Sequence, residues 1–69
     1  MNKVIKGLFP AGTVIVLERM DDDQAPKPGT KGVVDYVDDA GTIHVKWETG
    51  SSLGLIPTVD KYHIEKENI

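Results

Sequence analysis

Carboxylates dominate the side chains that could do chemistry in this chain. Asp21-Asp22-Asp23 form one run and Asp38-Asp39 a second. Such oxygen donors suit a hard cation such as calcium, but the first run lacks the alternating ligand spacing of an EF-hand loop. In an extended segment its three side chains point in successive directions. Solvated charges that cap turns are the simpler account. Acid–base catalysis by two carboxylates needs a fixed pair flanking a pocket. A chain of 69 residues with an aliphatic core has little room for one. Ser51-Ser52 have no histidine or lysine at the spacing of a known nucleophile motif. His44 is expected on an outer sheet face beside Asp35, as a cross-strand pair. His63 lies near the C-terminus and adds no pattern. The chain has two histidines and no cysteine, so it cannot form a disulfide or a thiolate–zinc site. The expectation is a protein without catalytic residues, metal ligands or cofactor, and not an enzyme.

Two aromatic residues need placing. Trp47 is the only tryptophan. Exposed, it would stack a base or grip a peptide. Parity instead groups it with Ile43 and Val45, which makes it a core residue. Tyr36 shares that face in the same register, at its edge, with a wet hydroxyl.

The elements that must hold these residues are short. Turn signals fall at Pro10-Ala11-Gly12, Pro26-Lys27-Pro28-Gly29, Asp38-Asp39-Ala40-Gly41, Glu48-Thr49-Gly50 and Ile56-Pro57. Between them lie runs rich in Val, Ile, Thr and Tyr: Thr13–Met20, Thr30–Val37, Thr42–Trp47, Ser51–Ile56 and Tyr62–Ile64. A four-residue loop at Asp38–Gly41, with Gly41 left-handed, sets Tyr36 opposite Ile43, Val34 opposite Val45 and Gly32 opposite Trp47. A loop one residue shorter would set Asp35 beside Val45 and bury a carboxylate. A three-residue loop at Glu48-Thr49-Gly50 sets Val45 opposite Leu53 and Ile43 opposite Leu55. Both turns agree on one core face. Pro28-Gly29 fits the middle of a type II turn, which leaves Asp21–Gly29 as a long loop. Val14-Ile15-Val16-Leu17 is apolar on both faces. It either closes a barrel or runs between the barrel and a terminal segment carrying Leu8 and Phe9. The fold expected is all-β, a small SH3-like barrel of about five short antiparallel strands. Residues 1–8 read as an N-terminal segment free to be flexible, 9–64 as the barrel and 65–69 as a C-terminal tail.

Several segments are familiar together. Phe9-Pro10-Ala11-Gly12-Thr13, Met20-Asp21-Asp22, Gln24-Ala25-Pro26, Gly29-Thr30-Lys31-Gly32, Val37-Asp38-Asp39-Ala40-Gly41 and Trp47-Glu48-Thr49-Gly50-Ser51-Ser52-Leu53 are among them. From Phe9 to Asp60 the chain resembles the bacterial family called domain of unknown function 4314. It departs from the pattern at Asp23, where proline is usual, and at Glu48-Thr49, which replace Asp-Asn. The resemblance implies a small bacterial protein, often carried on mobile elements, with no catalytic residues.

Charge narrows the partners. The net charge of -3 opposes nucleic acid and anionic membrane, and the eight basic residues are spread singly. The longest apolar run, Val14–Leu17, is far below the ~18 residues of a spanning helix. A monomer in the cytoplasm is expected. The task expected of it is docking a basic peptide or basic protein patch on an acidic surface. That surface is expected to join the Asp21–Gly29 loop to a neighbouring Asp38–Gly41 turn, with Asp21, Asp22, Asp23, Tyr36, Asp38 and Asp39 as binding residues. The alternative is a nucleic-acid or translation-machinery module using Lys27, Lys31 and Lys46.

Overall fold

The computed structural model describes residues 7–65. The expectations for the N-terminal segment and C-terminal tail fall mostly on 1–6 and 66–69, outside the described residues. Among those described, the chain forms β1 (Val14–Arg19), β2 (Lys31–Val37), β3 (Ile43–Trp47) and β4 (Lys61–Ile64). They make one antiparallel sheet in the order β3-β2-β1-β4. The all-β expectation holds, but the sheet is open rather than a closed barrel.

Turn chemistry sets the strand ends. Lys27-Pro28-Gly29-Thr30 is a type II turn: Thr30 N donates to Lys27 O at 3.0 Å and Gly29 has φ +91°. Pro10-Ala11-Gly12-Thr13 repeats it, with Thr13 N donating to Pro10 O at 3.1 Å and Gly12 at φ +94°. In both turns the threonine hydroxyl donates to the same carbonyl. Only glycine takes that φ without a steric cost. Gly41 and Gly50 lie in the same region, at +88° and +92°, as the two hairpin loops require.

The core occupies one face of the sheet. Ile15 and Leu17 of β1, Val34 and Val37 of β2, and Ile43, Val45 and Trp47 of β3 are buried, together with Phe9 and Leu55 from outside the strands. Each such side chain withdrawn from water contributes roughly 1.5–3 kcal/mol. Trp47 is only 3% exposed. Its ring lies across Gly32, where a Cβ would sit 2.7 Å from Trp47 Cε3 and would also strike Val45 Cγ1. The absent side chain at Gly32 is therefore what lets the indole lie on β2. β1 lies between β2 and β4; Ile15 and Leu17 are buried in the core, while Val14 and Val16 on its other face are half-buried. Phe9 meets Tyr62 of β4 edge-on, ring centroids 5.7 Å apart.

Two expectations need correction. The first is register near the Asp38 turn. Gly32 pairs with Trp47 and Val34 with Val45, as expected, but Tyr36 then pairs with His44 and Val37 with Ile43. Asp35 is the extra residue of a β-bulge. The bulge puts Val37 rather than Tyr36 in the core, so an aliphatic side chain is buried and a phenol stays wet. The second is the run Ser51–Ile56, which forms no strand. Ile43 and Leu55 exchange backbone bonds of 2.8 Å, and Trp47 N donates to Ser51 O at 3.0 Å. Between these closures Leu53 turns to other partners. Its carbonyl accepts from Trp47 Nε1 at 2.8 Å and its N–H donates to Ser51 Oγ at 3.2 Å. A buried indole N–H needs an acceptor, and it takes the carbonyl that a regular ladder would offer Val45.

Candidate functional site

The bulge builds the most organised polar cluster on the outer face. In a regular strand Asp35 and Tyr36 would point to opposite sides. Here both are exposed. Tyr36, 52% exposed, lies flat on the imidazole of His44, centroids 4.3 Å apart and planes 8° from parallel. His44 Nε2 meets Asp38 Oδ2 at 2.9 Å. Asp38 Oδ1 accepts from Ala40 N and Thr42 N, each at 3.0 Å. The hairpin loop thus fixes Asp38, Asp38 fixes His44, and His44 supports one face of Tyr36.

The His44 bond and then the Thr42 and Ala40 amides hold the Asp38 carboxyl below its usual range. The partner of His44 is Asp38, not the expected Asp35. The bulge carries Asp35 past His44, and the turn swings Asp38 back over it. An aspartate that orients an imidazole is one component of proton-transfer chemistry. Here the imidazole lies in an open, shallow depression of about 230 Å³, lined by Asp35, Tyr36, His44, Val45, Lys46 and Ser52.

The expected acidic residues do not form one surface. The Asp21–Asp23 loop precedes β2 and Asp38-Asp39 follow it, so they lie at opposite ends of a seven-residue strand, about 20 Å at strand rise. Asp22 Oδ1 accepts from Gln24 N at 2.8 Å, closing its own turn. Asp21 pairs with Arg19 at 3.5 Å on the surface. The hollow along Met20 to Gln24 is lined by that single loop stretch. The structure does bring Tyr36 and Asp38 together, through His44. Asp39 stands next in the turn, exposed.

Sequence reasoning missed His44 as the link. One signal was available: Val34 and Val37, both apolar, are three apart, which strict alternation cannot bury together. Elsewhere on the outer face, Lys31 Nζ meets Glu65 Oε1 at 2.7 Å and Glu18 Oε2 meets His63 Nδ1 at 2.8 Å. Lys31 is held above its usual range by Glu65. No group of three or more potential metal ligands occurs among the described residues. No helix among them is long and apolar enough to cross a membrane.

The model of the family described as Domain of unknown function (DUF4314) matches residues 1–65. The chain belongs to that family. The match spans the whole sheet, both hairpin loops and the Tyr36–His44–Asp38 cluster. No curated protein and no solved structure matches the chain.

Proposed function

We propose that this chain is a non-enzymatic binding module, working in the cytoplasm, that docks a basic segment of a protein partner. The docking face is the outer surface of β2 and β3 around Asp35, Tyr36, Asp38 and Asp39. One observation carries this reading: an exposed aromatic ring is held in a fixed orientation beside carboxylates. Holding a side chain in place before binding removes part of the ordering cost of association. The Asp21–Asp23 loop, at the other end of β2, serves as a separate acidic contact. The nucleic-acid alternative is less well supported, because Lys31 is engaged by Glu65.

The same reading extends to the fold, which we take as an SH3-like barrel whose fourth strand is worn down to one bridge. Its support is the connection from Leu55 to Lys61. Ile56 O accepts from both Val59 N and Asp60 N, and Asp60 Oδ2 accepts from Ile56 N at 2.8 Å. That turn leads the chain from Leu55, which bridges Ile43 of β3, to the start of β4 on the opposite edge.

Fluorescence anisotropy tests the function. A labelled Lys/Arg-rich peptide and a labelled single-stranded RNA are titrated at low and moderate salt. Peptide binding without RNA binding supports protein docking. RNA binding that weakens steeply with salt supports the nucleic-acid alternative and overturns the proposal.

A further inference from the structure

The geometry points to an arginine side chain as the group that the Tyr36 depression takes from the partner, an inference that rests on the docking reading above. The hollow is about 230 Å³, below the ~300–1,000 Å³ of pockets that enclose small-molecule ligands. It suits one side chain of a larger partner. Its walls offer two complementary features. One face of the Tyr36 ring is against His44, while half the residue remains exposed. Beside it stands the Asp35 carboxylate, which the bulge places on the same side and which no group among the described residues engages. A planar guanidinium can stack on the ring and direct its N–H fork at the carboxylate in a single pose.

Lys46 decides between arginine and lysine. It also lines the hollow, so an incoming cation meets a like charge as well as Asp35. Charge attraction alone is then nearly cancelled, and stacking must supply the selectivity. A guanidinium stacks through its plane, whereas an ammonium is a strongly hydrated point charge. Arginine is thus favoured over lysine. Removing Lys46 should strengthen binding.

Blocked pentapeptides with a central arginine, lysine or citrulline test this by NMR titration of the full chain. Citrulline keeps the planar shape and loses the charge. The arginine peptide is expected to bind about fivefold tighter than the lysine peptide, and citrulline, which has lost the cation–π attraction and the charged fork, is also expected to bind more weakly than arginine. Lys46→Gln should tighten the arginine complex, and Tyr36→Leu should abolish its preference over lysine. Unchanged Trp47 fluorescence would verify that both variants are folded. Equal affinity for arginine and lysine overturns the inference, as does weaker arginine binding by Lys46→Gln. If a longer basic peptide binds but shifts only Asp21–Gln24, docking stands and the arginine site falls. If neither pentapeptide nor longer peptide binds, both fall.

Discussion

The Tyr36 ring and the His44 imidazole lie parallel at 4.3 Å on the outer face of the sheet. The pair exists because one extra residue, Asp35, enters β2. Without that bulge Tyr36 would turn inward opposite Ile43. Placing an aromatic ring and a carboxylate side by side on one strand face is thus a consequence of register. Tyr36→Leu should cost little stability, under about 1 kcal/mol, because the ring is half exposed and gains only stacking. Urea unfolding followed by Trp47 fluorescence measures this. A loss of several kcal/mol would place Tyr36 in the core.

Gly32→Ala should be much worse than its size implies. The new methyl would meet Trp47 Cε3 at 2.7 Å and collide with Val45 Cγ1. Both neighbours are buried, so relief requires moving the indole. A loss of about 1–3 kcal/mol is expected. An unchanged unfolding midpoint would contradict the packing of Trp47 on β2.

Trp47 can be divided into packing and hydrogen bonding. Trp47→Ala removes a buried ring and should cost about 3–5 kcal/mol, enough to unfold a domain this small. Trp47→Phe keeps much of the volume and loses the Nε1 bond to Leu53 O. Its cost should be about 1–3 kcal/mol, since a part-buried carbonyl loses its donor. Amide exchange at Leu53 and Leu55 should also change in Trp47→Phe. No change there would show that the indole does not organise this segment.

The core was legible in the sequence because it rests on parity. Val34, Val45, Trp47, Ile43 and Leu55 meet as alternation and loop length demand. The type II turn at Pro28-Gly29 and the left-handed Gly41 and Gly50 followed from residue chemistry. The bulge at Asp35 was not legible from turn residues, since no glycine or proline marks it. It follows from a competition between burying Tyr36 and burying Val37, which is decided across three strands. The missing strand at Ser51–Ile56 had the same kind of cause. The alternation of Leu53 and Leu55 suggested a strand, but a side chain six residues earlier captures a backbone acceptor. The candidate site depended on the bulge, and so it was only partly visible: Tyr36 and Asp38 were identified, but not the histidine that joins them.

Acid should expose the role of Asp38. Its carboxyl sits below the usual 3.8, first through His44 and then through the Thr42 and Ala40 amides. A depressed folded-state value means that the ionised form contributes stability above the unfolded value. That contribution is lost as pH falls through the folded one. At neutral pH Asp38→Asn should therefore unfold at lower urea than the native chain. The difference should shrink as pH drops below about 4. A difference independent of pH would mean that ionised Asp38 has no special hold on the turn.

The most direct test of the docking account is an amide-shift map of the full chain with an arginine-rich peptide. The account predicts perturbations concentrated at Asp35 to Asp38 and His44 to Lys46, with Tyr36→Leu reducing them. Perturbations confined to Asp21 to Gln24 would move docking off this face, and no perturbation at all would contradict the account.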